Sequence, residues 1–220
     1  LGLVRNPRVI TGGESAARQR LFNFIAEAAN SYDSGRDRMD LAGTSRLSAD
    51  LKFGTISART VLNTIQSQLE DCPGKQTFLN QLTWREFCHN TLWDRPHVLK
   101  TPFNAKYIGF PYGDNQTHFD AWYHGQTGYP IVDAASRQLL AEGYVHNRAR
   151  MISASFLTKH LLCDYKRGEA NYLKYLVDGD WAQNNAGWQL AAGCGCDAQR
   201  YFRVFNPMSQ GKRYDPHGAY

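Results

Sequence analysis

The sequence predicts an all-α fold, on three observations. Apolar residues recur at helical spacing in several segments, and no segment alternates apolar and polar residues as a half-buried strand would. Helix punctuation falls where it should: Ser57 precedes an apolar-periodic run, Pro130 sits in a first helical turn, and Gly143 lies just past an end. Long stretches rich in Pro, Gly and aromatic residues separate the helices, and a helical domain with such loops generally wraps around a ligand or partner.

The elements follow in order. Residues 1–13 are irregular and read as the remnant of a linker, with Pro7 and Gly12-Gly13; residues 14–220 read as one domain. A helix starts at Glu14, carried by Phe22, Ile25, Ala26 and Ala29, and ends near Asn30. Tyr32–Gly43 is expected to be a polar loop, and Gly43-Thr44-Ser45-Arg46-Leu47-Ser48 leads into a short helix to about Phe53. The helix capped by Ser57 shows Ala58, Leu62, Ile65 and Leu69 on one face and breaks at Pro73-Gly74. A long helix from Lys75 to about Leu92 carries Trp84-Arg85-Glu86-Phe87. Residues 93–117 read as a long ordered loop, and Phe119–His124 as one or two helical turns. The segment opened by Pro130 is helical up to Gly143. Gly143–Gly195 adds two or three helices, with Met151, Ala154, Ser155, Thr158, Leu161 and Leu162 sharing a face. After Gly195 the chain reads as an aromatic loop through Tyr201-Phe202-Arg203-Val204-Phe205-Asn206-Pro207.

Composition narrows the class. At 220 residues the chain holds one large domain or two small ones, and 42% hydrophobic content excludes a disordered chain. A net charge of +5 favours an anionic partner, nucleic acid first, or marks a merely soluble basic protein. Five cysteines without framework spacing point to a reducing compartment, and the Cys194-Gly-Cys196 pair lacks the spacing of a common metal site, so no metal is expected. No apolar run reaches membrane-span length. Leu1 is not an initiator Met, so the start reads as trimmed.

Polar residues concentrate between Gly143 and Gly195, and buried polar groups are costly unless paired, so a site is expected there. Tyr144–Arg150 lies at a helix entry, where free N–H groups can meet an anion. The hydroxyls of Gly43–Ser48 either cap the following helix or cradle a phosphate. Trp84 is either core or a platform for a base. Asp178-Gly179-Asp180 either caps a helix, or one carboxylate pairs with Arg150 while the other accepts a ring N–H or ribose hydroxyl from a ligand. Asn184-Asn185 ahead of Trp188 suits recognition of a polar heterocycle, with a structural role as the alternative.

Taken in order, six motifs resemble the flavin-binding helical domain of the DNA photolyase/cryptochrome family. They are GTSRLSADLKFGTISAR (43–59), LTWREF (82–87), Trp122 with TGYPIVDAASRQL (127–139), HNRARMISASFLTKHLL (146–162), LVDGDWAQNNAGWQ (176–189) and YFRVFNP (201–207). His146-Asn147 resembles the branch that repairs cyclobutane dimers. The resemblance implies FAD, with Tyr32, Thr44, Ser45, Leu47, Ser48 and Arg85 on its phosphate side. It implies an Arg150–Asp178 bridge across the flavin, Gly179 and Asp180 beside ring and ribose, and Asn184 beside N5. Damaged DNA is the implied partner: Trp84, His146, Asn147, Met151, Gln81 and Leu190 face the flipped dimer, and Arg36, Arg148, Arg203, Ser209 and Gln210 face the backbone. Trp188 resembles the flavin-proximal member of an electron chain continued by Tyr165 and Tyr112, where the family has Trp. A tyrosine must lose its proton when oxidised, and His160 and Asp164 are the bases nearby in sequence.

The resemblance further implies a monomer, no membrane, and a cytoplasmic, nucleoid or nuclear place. A folate or deazaflavin antenna pigment would belong to a preceding α/β domain that this chain lacks, and the usual C-terminal tail is missing too. Gln81 stands where dimer-specific members have Glu, and Leu190 where they have a pocket Trp, which favours the alternative of a cryptochrome-type photoreceptor with FAD and little repair. A DNA-binding flavoprotein without photochemistry is the third reading.

Overall fold

The structure is a computed structural model that describes residues 6–113, 115–196 and 203–220. Among these residues it is all-α, with eleven α-helices, three short 3-10 turns and no strand.

The helices gather into two groups, each around its own core. The first contains α1 (Glu14–Glu27), α2 (Tyr32–Gly35), α3 (Ser48–Phe53), α4 (Ala58–Gln68) and α5 (Pro73–Asp94). Leu21, Phe24, Tyr32, Leu47, Ile65 and Phe78 are buried together there, and the Phe24, Tyr32 and Phe78 rings lie 4.8 to 5.5 Å apart. The second group contains α6 (Gln116–Tyr123), α7 (Pro130–Glu142), α8 (Asn147–Lys159), α9 (Tyr165–Tyr175), α10 (Trp181–Ala192) and α11 (Pro207–Tyr214). Its core centres on Trp122, Ile152, Leu157, Tyr165, Tyr172 and Trp188. Helices α5 and α10 pack against each other and join the groups.

Local chemistry sets the boundaries. Ser57 caps α4, its hydroxyl accepting from Thr60 N at 3.0 Å. Pro130 opens α7, and Gly143, at φ 62° in the left-handed region, closes it.

Several expectations shift. Tyr32 begins the short helix α2 instead of a loop. Pro73-Gly74 breaks α4 but also opens α5, since Pro is suited to a first turn where its missing N–H is not needed. The 93–117 loop contains 3-10 turns at Pro96–Leu99 and Ala105–Tyr107, and its end is already α6, capped by Asn115. Leu161 and Leu162 do not continue the α8 face, because α8 stops at Lys159 and Leu162 takes φ 52°. Asn206 caps a helix, α11, where a loop was expected; Tyr201 and Phe202 of that motif lie outside the described residues.

Helices α8, α9 and α10 approach closely because Gly168 has no side chain. A Cβ there would lie 2.2 Å from Trp188 Cη2 and 2.6 Å from Leu157 Cδ2. Gly168→Ala should therefore cost about 1–3 kcal/mol through overpacking, read as a lower urea midpoint with unchanged slope.

Candidate functional site

The seam between the two cores is crossed by polar side chains. Arg46, from the 43–48 segment, reaches Glu142 at 3.3 Å and lies 4.2 Å over the Tyr144 ring. Lys52 Nζ donates to Val177 O at 3.3 Å. Arg148 Nη2 donates to Asp37 Oδ2 at 2.5 Å, and Gln183 Nε2 to Arg85 O at 2.9 Å. Together α2, α5, α10, α8, the 142–147 and 176–180 connections, and the 43–48 segment with α3 form a polar ring.

Arg46 itself is in the left-handed region at φ 51°, a conformation that costs a non-glycine residue roughly 1 kcal/mol and that clusters at binding sites. None of Thr44, Ser45 and Ser48 caps α3, so the capping alternative for this segment fails; Ser45 Oγ only accepts weakly from Leu47 N at 3.4 Å. Their hydroxyls remain available, with Thr44 and Ser45 half-buried and Ser48 exposed. Arg85 reaches back to Leu51 O at 3.4 Å from the facing helix.

Across the ring, Arg150 binds Asp178 with both carboxylate oxygens, at 2.8 and 3.0 Å, and its Nε donates to Val145 O at 2.7 Å. Burial lowers the Arg150 pKa, and the Asp178 charge and hydrogen bonds more than reverse this, so the net direction is upward. Asp180 caps α10, one oxygen accepting from Gln183 N at 2.9 Å, while the other stands 3.8 Å from His89 Nε2. Gly179 is buried between them. Asn184 Nδ2 donates to Glu169 O at 3.0 Å, which orients its carbonyl oxygen.

Asn185 goes the other way. It is buried and donates to Val98 O and to Glu169 Oε1 at 3.1 and 2.8 Å, so the heterocycle reading for the Asn pair narrows to Asn184. Gln189 continues that network from Val98 O to Phe103 N and pins the 98–103 loop.

Four buried polar atoms without a hydrogen-bond partner belong to ring residues or their immediate support: Arg46 Nε, His89 Nε2, His146 Nε2 and Arg148 Nε. Unpartnered buried polar groups cost free energy, and a polar ligand seated within the ring would supply partners. The residues therefore suit a large polar cofactor.

His146 caps α8, its Nδ1 accepting from Arg148 N at 3.2 Å. This side-chain cap takes up one of the N–H groups expected to meet an anion at the helix entry. Burial, despite Asp37, depresses its pKa to about 4. The fold thus prefers neutral imidazole, whereas the unfolded chain binds a proton near pH 6.5. Stability should hold above about pH 6.5 and fall toward pH 4 by on the order of 3 kcal/mol. His146→Asn keeps a capping side chain and should flatten that window in urea titrations at several pH values.

On the outer side of α5, Trp84 is 46% exposed and lies 5.2 Å from the Phe87 ring, leaving a flat aromatic face open. Asn147 is exposed and adjoins half-buried Met151, and Leu190 is half-buried on α10. Gln81 Oε1 accepts from Arg36 at 3.1 Å. Arg148 is only 13% exposed and is committed to Asp37 and the Tyr214 ring, 4.5 Å away, so it presents little free charge. Arg203 is exposed over Phe205, and Ser209 lies exposed in the first turn of α11.

The electron-chain residues share one core but make two sets of ring contacts. Tyr112 and Tyr165 lie 6.4 Å apart, both with pKa pushed well up by burial. The Tyr165 hydroxyl is buried without a hydrogen-bond partner. Neither base expected for it serves: Asp164 caps α9 and His160 stacks on Phe156. Trp188 instead packs against Tyr172 at 5.1 Å and Trp122 at 6.0 Å.

Sequence reasoning missed the contacts that Tyr144, Asp37 and His89 make. Their partners Arg46, Arg148 and Asp180 lie far along the chain.

Known proteins resemble this chain along most of its length. Residues 78–220 match the family model described as the FAD binding domain of DNA photolyase. The chain is 45% identical over 211 residues to deoxyribodipyrimidine photo-lyase of Escherichia coli, covering 94% of this chain and 45% of that protein. Against the Neurospora crassa protein of the same name it is 43% identical over 215 residues, covering 94% of this chain and 35% of the relative. It thus spans less than half of each. A class III photolyase structure from Agrobacterium tumefaciens superposes with TM-score 0.93 at 41% identity, covering 97% of this chain and 45% of that one. A Synechocystis cryptochrome superposes with TM-score 0.90 at 30% identity, covering 99% and 47%. Sequence, fold and site geometry together make the chain a member of the DNA photolyase/cryptochrome family, within its FAD-binding helical domain.

Proposed function

We propose that residues 14–220 form the FAD- and DNA-binding domain of a light-dependent repair enzyme acting on cyclobutane pyrimidine dimers in damaged DNA, and that residues 1–13 link it to a preceding domain. The carrying observation is the polar ring with unpartnered buried atoms, bounded by the Arg150–Asp178 pair. The photo-lyase names of the relatives support the same reading.

Bound FAD, reduced and excited by blue light, supplies the electron that splits the dimer. The chain supplies position and electrostatics. Tyr32, Thr44, Ser45, Leu47, Ser48 and Arg85 hold the phosphate side. Asn147, Arg150, Asp178, Gly179, Asp180 and Asn184 hold the ring side, with the Asn184 amide fixed by Glu169 O. A target base pair inside a duplex is out of reach, so the lesion must flip out. Trp84 then stacks on it, with His146, Asn147, Met151, Gln81 and Leu190 around it. Arg36, Arg148, Arg203, Ser209 and Gln210 face the backbone, although Arg148 works mainly by holding Asp37. Trp188 donates to the flavin when it is oxidised.

FAD loading is the first test. Purified protein should be coloured and release one FAD per chain on denaturation; a colourless preparation that cannot be loaded would overturn the reading. DNA affinity should fall with salt, with a log–log slope of roughly −0.9 per phosphate contact. Trp84→Ala should lower the preference for dimer-containing over intact duplex by about 1–3 kcal/mol, measured by competition binding at fixed salt.

The domain acts as a monomer, and an antenna pigment, folate or deazaflavin, would sit outside this chain. Among the described residues no helix is long and apolar enough to cross a membrane. The cytoplasm or nucleoid, or a nucleus, is the compartment where its DNA substrate lies. The second reading, a blue-light photoreceptor, is favoured by Gln81, whose amide oxygen is already engaged by Arg36.

A further inference from the structure

We infer that the hole left on Trp188 by electron donation travels outward through Trp122, with the Tyr172 ring packed beside both, to the hydrogen-bonded phenol pair Tyr123–Tyr175, and not through Tyr165 and Tyr112. The inference rests on the reading of Trp188 as the flavin's donor.

The geometry offers Trp188 two aromatic neighbours. Tyr172 lies 5.1 Å away and Trp122 6.0 Å, and these two stack at 6.0 Å with an interplanar angle of 18°. Trp122 is fully buried and its Nε1 donates to Ser153 Oγ at 2.9 Å, a contact that favours positive charge on the indole. Each neighbour leads to a ring nearer the surface on its own helix. Tyr123 follows Trp122 on α6, bridged by the Phe119 ring at 5.6 and 6.5 Å, and Tyr175 lies three residues beyond Tyr172 on α9. The outer phenols meet oxygen to oxygen at 2.7 Å.

The proton decides between the routes. A phenol that loses an electron must also lose its proton. The Tyr165 hydroxyl is buried without a partner and has nowhere to send it; the Tyr172 hydroxyl is in the same state, so the hole rests on Trp122 and not on Tyr172 on its way to the outer pair. Tyr123 and Tyr175 are only partly buried, with Lys174 beside Tyr175 and the exposed His124 ring 4.6 Å from Tyr123. The hydrogen bond from Tyr123 and the Lys174 ammonium together draw the Tyr175 pKa down. The step balances: one electron passes from a phenol of the pair, through the inner rings, to the Trp188 radical cation. The phenolic proton goes to water, and the electron Trp188 gave remains on the flavin, the photo-oxidant.

The test is transient absorption and electron paramagnetic resonance of FAD-loaded protein after a blue flash, with ring-deuterated tyrosine identifying phenoxyl radicals. Wild type and Tyr112→Phe/Tyr165→Phe should give the same phenoxyl yield, and Tyr123→Phe/Tyr175→Phe should lose it. Both pairs of substitutions are shape-conserving, which keeps folding comparable. In the flavin-free protein, ultraviolet titration should show one early phenol ionisation that Tyr123→Phe moves to higher pH. Loss of the phenoxyl signal in the Tyr112/Tyr165 variant, with retention in the Tyr123/Tyr175 variant, would overturn the inference. A tryptophan radical that never passes to a phenol would overturn it alone. Absence of any tryptophan radical would overturn the donor role of Trp188 as well, and so distinguishes the two failures.

Discussion

Asp178→Ala is expected to abolish FAD retention and to destabilise the folded domain by about 3 kcal/mol. Asp178 is 4% exposed and takes both hydrogen bonds from Arg150 Nη2, so its loss leaves a guanidinium in the seam with its charge uncompensated. The estimate sits at the low end for a buried pair because Arg150 keeps 26% of its side-chain exposure. Asp178→Asn should lose less, since an amide still accepts one hydrogen bond. Urea unfolding of the flavin-free protein reads the stability; equilibrium dialysis with FAD reads retention. Equal stability of wild type and Asp178→Ala would mean that Arg150 finds solvent and that the pair does not hold the seam.

Trp188→Phe is expected to reduce flavin photoreduction to background while FAD stays bound. A phenyl ring fills most of the indole's place against Gly168, Tyr172 and Trp122, yet it cannot give up an electron at an accessible potential. Chemically reduced protein should repair as well as wild type, because repair draws on the flavin and not on this entrance. Transient absorption of the flavin radical after a blue flash checks the first claim, and repair by dithionite-reduced protein checks the second. Tyr165→Phe, by contrast, should change the radical yield little, since its hydroxyl makes no hydrogen bond and its ring contact is with Tyr112.

Most helices were legible because their signals are local. Ser57, Pro130 and Gly143 each act within one turn, and each does in the structure what its residue type predicts. Helices α2 and α11 were not legible for the opposite reason. Each is short, and its stability comes from packing: α2 through Tyr32 against Phe24 and Phe78, α11 through Pro207 and Tyr214 against α7 and α8. Propensity says little about a helix that packing holds together.

The site divides along the same line. A cap and an Arg150 pair were both legible as alternatives for the DGD triplet, and the family resemblance assigned the pair to Asp178; the structure holds both, with Asp180 as the cap. The roles of Arg148 and Asn185 were not legible. Both sit among polar neighbours in sequence, but their partners, Asp37 and Val98, are 111 and 87 positions away. The aromatic route was hidden for a related reason. Trp122 and Tyr172 are separated in sequence and stack only once α6 and α9 pack about α10.

The central claim, that this chain's ring of polar residues positions FAD to split a flipped pyrimidine dimer, is tested most directly by repair itself. Full-length protein containing this domain, loaded with FAD and reduced, would be mixed with an oligonucleotide carrying one thymine dimer and exposed to blue light. Dimer loss is then followed by chromatography. Restored thymines are expected in the light, none in the dark, and a lower yield at limiting enzyme for Trp84→Ala. Reduced, FAD-loaded protein that binds the oligonucleotide yet leaves the dimer intact under illumination would contradict it.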